Sequence, residues 1–292
     1  VAILNLQSMT LSEIEGKGRK KSFFENFFAD PKGAPKLGGA SKKPRRMLEI
    51  LWLGGFPALA KKTNPIISNF FRSYIQTYVE RDVRVLEDIR EIGAFGRFLG
   101  LIGALTGQEI NHSQIGRDVG VNPGTARKWL ELLVATYQWF ELAPFHGNAI
   151  KRISGKRKGF ISDSGLACNL QRISSPEGLG VSPLLGAVFE TWVSGSIRKQ
   201  CSFLDVQPNF YHWRTNGGAE VDLVLERDGF LYPIEIKCKI NLTGHDLRGI
   251  RAFRETYPKK VKTAFLVYAG NEAFQMTDFC YAIPWHLDLT WG

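Results

Sequence analysis

The sequence predicts an α/β protein in which a helical segment and a winged helix precede a mixed sheet flanked by helices. Two observations support this prediction. Residues 94–145 are patterned as a helix, a short helix, a turn and a longer helix, and strands follow. Residues 163–292 alternate helix, three strands, helix and strand, which is the order of an α/β unit. The length of 292 residues suits about two domains.

The composition excludes several classes of protein. Hydrophobic residues make up 44% and charged residues 23% of the chain, which rules out a wholly disordered, collagen-like or coiled-coil protein. No run approaches the roughly 18 apolar residues of a membrane helix. The four cysteines are scattered, without a C-x-x-C pair. We therefore expect a cytoplasmic protein with reduced thiols and no membrane partner.

Residues 1–46 form the first of four predicted regions. They hold ten Lys or Arg against four acidic residues, which accounts for +6 of the net charge of +10. The opening VAILNLQS is patterned as a strand and precedes the first methionine, so we expect a fragment that lacks an N-terminal part. Residues 29–46 form a linker rich in Gly, Pro and basic residues. The basic excess favours DNA as a partner, and a solvated tail is the alternative.

Residues 47–93 are predicted to be a helical segment. A first helix ends at the Gly54–Gly55 pair, and Pro65 opens a second helix. Four apolar or aromatic residues recur every four positions along the second helix and predict a buried stripe: Ile66, Phe70, Tyr74 and Tyr78.

Residues 94–160 are predicted to form the winged helix. SQIGRDVG is a short helix capped by Ser113, and PGTARKWLELLVAT is a longer helix with Pro123 in its first turn. YQWFELAPF and KRISGKRKGFIS then predict two strands joined by a basic tip. The candidate DNA contacts are the basic residues of the longer helix and the tip: Arg127, Lys128, Lys151, Arg152, Lys156, Arg157 and Lys158. A domain that contacts only proteins is the alternative.

Residues 161–292 contain the candidate catalytic group. Asp222 lies on one predicted strand, Glu235 and Lys237 lie on the next, and a turn at Asp228–Gly229 pairs the two strands antiparallel. Because side chains alternate along a strand, Glu235 and Lys237 point to one side, where Asp222 can join them. Two carboxylates that hold Mg²⁺, beside an ammonium group, suit metal-assisted phosphodiester cleavage. An ion pair on an exposed strand face is the non-catalytic alternative.

This arrangement resembles the restriction-endonuclease-like superfamily, whose hallmark is an Asp on one strand and Glu-x-Lys on the next. The resemblance implies catalytic roles for Asp222, Glu235 and Lys237. Glu190, on the predicted helix before these strands, is the fourth candidate, since such folds often add a carboxylate from a helix.

Segments spread over almost the whole chain also resemble a prokaryotic family of AAA-type ATPases with a C-terminal domain of unknown function. These segments are VAILNLQSMTLSEIEG, LWLGGFP, SYIQTYVERDVR, ISDSGLA, FETWV, YHWRTNGGAEVDLVLE and PIEIKCK. The resemblance implies that an upstream ATPase module, or another copy of the protein, is a partner. Arg81 is then a candidate arginine finger, and a surface ion pair is its alternative role. No G-x-x-x-x-G-K-[ST] loop occurs, so we expect this chain not to bind ATP through a Walker motif.

Three functions remain open from the sequence. The first is a metal-dependent nuclease, the second is a non-catalytic DNA- or protein-binding module on a nuclease-like scaffold, and the third is the regulatory half of an ATPase. Cleavage of plasmid DNA by the wild type and by Asp222→Ala separates the first function from the other two.

Overall fold

A computed structural model describes residues 6–16, 21–31, 47–60, 62, 64–78 and 91–286. The helices in this part of the chain are α1 (Leu11–Ile14), α2 (Phe23–Ala29), α3 (Met47–Leu53), α4 (Asn64–Thr77), α5 (Ile92–Ala104), α6 (His112–Val119), α7 (Pro123–Ala135), α8 (Ala149–Ser154), α9 (Ser164–Leu170), α10 (Pro176–Gly180), α11 (Leu185–Cys201) and α12 (Arg248–Thr256). The strands are β1 (Gln108–Glu109), β2 (Trp139–Pro144), β3 (Lys158–Ile161), β4 (Asn209–Arg214), β5 (Glu220–Arg227), β6 (Phe230–Lys237), β7 (Ala264–Tyr268), β8 (Phe274–Gln275) and β9 (Cys280–Pro284). Short 3-10 helices lie at Pro57–Leu59 and Gly244–Leu247.

The protein is α/β, as the sequence predicts, and its chain divides into two compact units. The described residues of Val1–Met47, Leu142–Gly155 and Val193–Gly292 form the first, which we call the sheet unit. Those of Leu48–Glu141 and Lys156–Trp192 form the second, the helical unit. None of the described helices is long and apolar enough to cross a membrane.

The sheet unit is built on a mixed sheet. The last residues of β2 pair parallel with β4, and β4, β5 and β6 are antiparallel neighbours. β6, β7 and β9 then run parallel, and β8 pairs antiparallel with β9. Both β7 and β9 are buried along their whole length, as in strands that are covered on two faces. β4 to β7 match predicted strands, whereas the sequence analysis did not identify β8 and β9.

Helices cover the two faces of this sheet. Phe265 and Leu266 are neighbours in β7, so their side chains point to opposite faces. Leu266 belongs to a buried cluster that includes Ile250 of α12. Phe265 meets the ring of Phe23 from α2 edge-on, with centroids 5.3 Å apart. α12 and α2 therefore pack on opposite faces of the sheet.

The described residues before residue 47 belong to the sheet unit. This grouping differs from the predicted division, in which residues 1–46 are a separate remnant of an ATPase module followed by a linker. The physical reason is the apolar surface of α2, which is buried through four aromatic side chains: Phe23, Phe24, Phe27 and Phe28. The strand predicted at the chain start is not seen in its described residues 6–8, and its first five residues lie outside the described chain. Of the predicted linker at 29–46, residues 32–46 lie outside the described chain, and so does Arg81.

The helical unit contains the helices α5, α6 and α7 and a small strand arrangement. β1 pairs antiparallel with β3, with Gln108 opposite Gly159. The start of β2 lies beside β3, since the rings of Phe140 and Phe160 stack with centroids 5.1 Å apart. Trp139 packs so close to β3 that a Cβ at Gly159 would lie 1.9 Å from its ring. The first predicted strand of this region and the end of the second are therefore present and adjacent.

Three local predictions are wrong. The sequence predicts a strand from residue 151, but residues 149–154 form the helix α8, whose start is stabilised by Asn148 through a side-chain bond to the amide of Ile150. Asn111, not Ser113, caps α6, because its Oδ1 accepts the amide of Gln114 at 3.2 Å.

The buried face of α4 is also rotated from the predicted stripe. Ile66 is 49% exposed, whereas the next residue, Ile67, and Phe71 are buried. Tyr78 is buried as predicted. An apolar helix with many aromatic residues offers two candidate faces, and packing in the helical unit selects between them.

Candidate functional site

Two strands joined by a tight turn position the candidate catalytic residues. Asp228 and Gly229 have φ values of 52° and 78°, the positive angles of a two-residue hairpin turn. The turn sets the register of β5 and β6, in which Leu223 lies opposite Ile234. Continuing this register by one residue places Asp222 opposite Glu235. The predicted placement of the two carboxylates on adjacent antiparallel strands is confirmed.

Hydrogen bonds fix the orientation of the group. Lys237 donates from Nζ to Glu235 Oε1 at 2.6 Å, so the two side chains share one face as the strand alternation requires. Asp222 Oδ2 accepts the backbone amide of Ile236 at 2.9 Å. Both carboxylates are buried, with Asp222 7% and Glu235 3% exposed.

The electrostatic state of the group favours a cation. Burial raises the pKa of Glu235 well above its usual range, the Asp222 carboxylate raises it further, and the Lys237 ammonium offsets these effects only in part. Burial lowers the pKa of Lys237, but the nearby carboxylates, Glu235 first among them, outweigh it and the net shift is upward. Glu235 Oε2 is buried and has no hydrogen-bond partner within the described chain. The raised pKa means that Glu235 readily takes up a proton, or a metal cation in its place, and one of its oxygens has no hydrogen-bond partner among the described residues.

A cavity of about 350 Å³ opens at this group. Strand residues of its lining include Glu220, Glu235 and Lys237, whereas Asp222 is not part of the lining. The loop after β6 and the start of α12 supply the remaining polar lining residues: Lys239, His245, Asp246 and Arg248.

Gly249 allows α12 to approach the carboxylates. A Cβ at this position would lie 1.8 Å from the carbonyl oxygen of Glu220 and 3.3 Å from Glu235 Oε2. The first turn of α12 is therefore packed directly on β5, and a larger residue would displace it. The sequence analysis did not identify Gly249 or the loop residues, although a glycine in the first turn of an amphipathic helix is the visible signal.

The donor set can be compared with what Mg²⁺ requires. In the described chain, no group of three or more His, Cys, Asp and Glu side chains is arranged to hold a metal ion. Mg²⁺ commonly binds through one or two carboxylates and keeps several water ligands. The pair formed by Asp222 and Glu235 fits this ion in donor type and number, and the unpaired Oε2 of Glu235 supplies an oxygen.

Glu190, the fourth catalytic candidate, forms an ion pair with a lysine of the helical unit. It lies in the helical unit, where its Oε1 is 2.6 Å from the Nζ of Lys158. The side chains of both residues are mostly buried, at 15% and 12% exposure. The structure therefore pairs Glu190, predicted as a fourth catalytic carboxylate, with Lys158, predicted as a DNA contact, because each neutralises the other.

The other predicted DNA contacts differ in the surroundings of their side chains. Arg152 bonds Glu226 at 3.1 Å and stacks on aromatic rings, so it is a structural residue of the sheet unit. Arg127 pairs with Glu131 at 2.9 Å on the surface of α7. Arg157 Nε lies 3.7 Å from Glu141 Oε2. The side chains of Lys128 and Lys156 are exposed, and that of Lys151 lies outside what the structure describes.

Comparisons with known proteins match two regions of the chain, one that contains the candidate DNA contacts and one that contains the candidate catalytic residues. Residues 45–177 match a domain of unknown function, DUF8612, and residues 185–287 match another, DUF4143. An uncharacterized protein of Mycobacterium tuberculosis and one of Mycobacterium bovis are each 30% identical to the chain over 244 residues, covering 83% of this chain and 54% of theirs. The chain thus spans about half the length of the curated relatives it matches. No solved structure matches the chain significantly.

Proposed function

We propose that the sheet unit carries a metal-dependent phosphodiester-cleaving site of the restriction-endonuclease-like kind, in the C-terminal part of an AAA-type ATPase-family protein. Asp222, Glu235 and Lys237 are its catalytic residues. The observation that carries the proposal is the Glu235 carboxylate, which is 3% exposed, lies opposite a second carboxylate and has an oxygen without a partner beside a cavity. Burying such a group is costly unless a ligand compensates it.

Each residue of the group has a defined role in this proposal. Asp222 and Glu235 hold Mg²⁺, which when bound offsets charge on a phosphate and activates water. Lys237 stays protonated at neutral pH because its pKa is raised, and its ammonium neutralises charge that develops on the phosphate. Lys237 also orients Glu235 through the 2.6 Å bond to Oε1.

Cleavage of plasmid DNA and of a circular single strand in Mg²⁺ tests the proposal. We expect the wild type to cleave and EDTA to stop the reaction. Asp222→Asn and Lys237→Met should each lose about 100-fold in rate, the scale expected when one charge-stabilising group is removed. Asp228→Asn is the matched control, because it removes one carboxylate that is 72% exposed in the turn. Equal rates in all four proteins, or no cleavage by the wild type, contradict the proposal.

A non-catalytic DNA- or protein-binding module is the second candidate function. The observation that favours it is the pairing of Glu190 with Lys158, which places one of the four predicted catalytic residues in an ion pair. A nuclease-like scaffold can persist in a domain used only for binding. This candidate predicts that the wild type binds DNA or a partner protein but cleaves no phosphodiester in Mg²⁺ or Mn²⁺.

We also propose that residues 94–160 act as a winged helix that contacts DNA. The support is the order of α5, β1, α6, α7, β2, α8 and β3, with β3 paired to β1 and beside β2. Lys128 and Lys156 are two of its exposed cations, beside Arg127 and Arg157, and we take these two lysines as main phosphate contacts. A mobility-shift assay should show binding that weakens steeply with salt and falls further in a Lys128→Ala, Lys156→Ala double variant. No binding at low salt contradicts it.

The absence of a phosphate loop from the sequence leads to a proposal about nucleotides. We propose that the chain does not bind ATP by itself, because no backbone cradle for the β-phosphate is encoded. Calorimetric titration with Mg·ATP should therefore give no heat of binding, and micromolar binding contradicts this expectation.

A further inference from the structure

The cavity at Glu235 has a second set of lining residues that the proposed cleavage does not use. Lys239, His245, Asp246 and Arg248 come from the loop after β6 and from the first turn of α12. This set is more basic than the strand side of the lining, which holds Glu220 and Glu235 with Lys237.

The loop is held in place by its own side chains. Asp246 Oδ1 lies 2.6 Å from Lys239 Nζ, and Asp246 Oδ2 accepts the amide of Thr243 at 2.7 Å and its hydroxyl at 3.1 Å. Burial raises the pKa of Asp246, but these bonds outweigh it and the pKa is lowered, so Asp246 stays ionised. The charge of Lys239 is therefore compensated within the loop.

Arg248 differs from Lys239 in its charge balance. It is exposed, it lines the cavity, and no ion pair found among the described residues involves it. As the first residue of α12 it also lies at the positive end of the helix, which Gly249 holds against β5. A guanidinium group presents donors that match two phosphate oxygens. An uncompensated arginine thus lines the same cavity as the buried carboxylate.

The depth of the carboxylates limits the kind of strand that reaches them. Glu235 is 3% exposed, and the cavity of about 350 Å³ is near the small end of ligand pockets, which span about 300–1,000 Å³. Duplex DNA is stiff, with a persistence length of about 150 base pairs, so its backbone does not bend sharply to turn a phosphate into a narrow cavity. A single strand can instead direct one phosphate inward.

We propose that Arg248 binds a phosphate of a single-stranded or frayed nucleic acid, whose neighbouring phosphate enters the cavity toward Glu235. The inference rests on the proposed function of this site, and it names the substrate class and a contact that the three catalytic residues do not provide. Arg248 contacts substrate without holding the metal, so its contribution to binding persists when no metal is present.

Fluorescence anisotropy in EDTA tests this contact without requiring cleavage. The probes are a fluorescein-labelled strand of twelve thymidines and a labelled hairpin duplex. We expect Arg248→Gln to weaken binding of the single strand about fivefold and to lower the slope of log affinity against log salt by about 0.7, the value for one lost phosphate contact on a single strand. Affinity for the duplex should not change. The matched control is Lys259→Gln, which removes one exposed cation beyond the other end of α12 and should change neither quantity.

Two outcomes overturn the inference. Either Arg248→Gln and Lys259→Gln bind the single strand equally well, or Arg248→Gln weakens duplex and single-strand binding alike. Because this assay contains no metal, its result is independent of the cleavage assay. Loss of single-strand affinity in Arg248→Gln without wild-type cleavage of either single-stranded or plasmid DNA supports the contact and contradicts the catalytic proposal. Wild-type cleavage with unchanged single-strand affinity in Arg248→Gln supports the catalytic proposal and contradicts the contact.

Discussion

The Glu235 carboxyl shows how one residue links the stability of the fold to the chemistry of the site. Burial and the Asp222 carboxylate raise its pKa in the folded protein, whereas in the unfolded chain the carboxyl titrates near its ordinary value. Between these two pKa values the folded state binds more protons than the unfolded state. The free energy of unfolding therefore decreases as pH rises through this window.

Replacing this carboxyl should remove that pH dependence. Between pH 5 and pH 8 we expect the free energy of unfolding to fall less in Glu235→Gln than in the wild type, with a difference on the order of 1 kcal/mol. Thermal unfolding across this range measures the effect. Glu255→Gln, which changes an exposed carboxylate of α12, is the control and should follow the wild type. Parallel curves for Glu235→Gln and the wild type would show that the pKa of Glu235 is not raised.

At the scale of single elements, local chemistry was predictable and remote packing was not. The turn at Asp228–Gly229 was predicted from a short-range rule and is present, and Asp163 caps α9 by an equally local bond. The second bond of Asp163, from the amide of Gly55 to Oδ2 at 2.7 Å, joins residues 108 positions apart. The helix α8 was predicted as a strand because its sequence is too short for the spacing of its apolar residues to distinguish a helix from a strand.

The two bonds of Asp163 predict an unusually costly substitution. Its Oδ1 accepts the amide of Leu166 at 3.0 Å, so Asp163→Ala removes the cap of α9 and leaves the buried Gly55 amide unpaired. We expect a loss of about 2–4 kcal/mol in the free energy of unfolding, measured with urea. Ser175→Ala, which removes only the cap of α10, should cost about 1 kcal/mol. Equal losses would mean that the bond to Gly55 contributes nothing.

The close approach of α12 to β5 gives a second prediction at this scale. Gly249→Ala places a methyl group where the carbonyl oxygen of Glu220 lies, so we expect a loss of about 1–3 kcal/mol through displacement of α12. Gly244→Ala is the control, since a Cβ there has no neighbour nearer than 3.9 Å. Urea unfolding compares the two variants. A Gly249→Ala protein as stable as Gly244→Ala would contradict the observed packing.

At the scale of the whole molecule, the fold class and the placement of Asp222 and Glu235 on adjacent strands were predictable, but the organisation of the units was not. Alternating elements predict the α/β class, and strand period with the hairpin turn predicts that Asp222 and Glu235 are adjacent. The docking of α2 on β7 depends on contacts between residues more than 200 positions apart, such as Phe24 and Phe265. Sequence period alone carries no information about such pairs.

The contribution of α2 to the stability of the sheet unit can be measured by truncating one of its aromatic side chains. Phe24 is fully buried and packs 5.8 Å from the ring of Phe265, so we expect Phe24→Ala to cost about 3–5 kcal/mol in the free energy of unfolding. Phe203→Ala, at a residue that is 44% exposed, should cost far less. Thermal unfolding monitored by circular dichroism gives both values. If the two variants unfold alike, α2 is not an integral part of the sheet unit.

The metal site itself is tested most directly by anomalous diffraction from crystals soaked in Mn²⁺, with Glu235→Gln crystals as the control. We expect an anomalous peak about 2.1 Å from oxygens of Asp222 and Glu235 in the wild type, and none at that position in the variant. Wild-type crystals in which Lys237 still bonds Glu235 and no peak lies beside the two carboxylates would contradict the proposed phosphodiester-cleaving site.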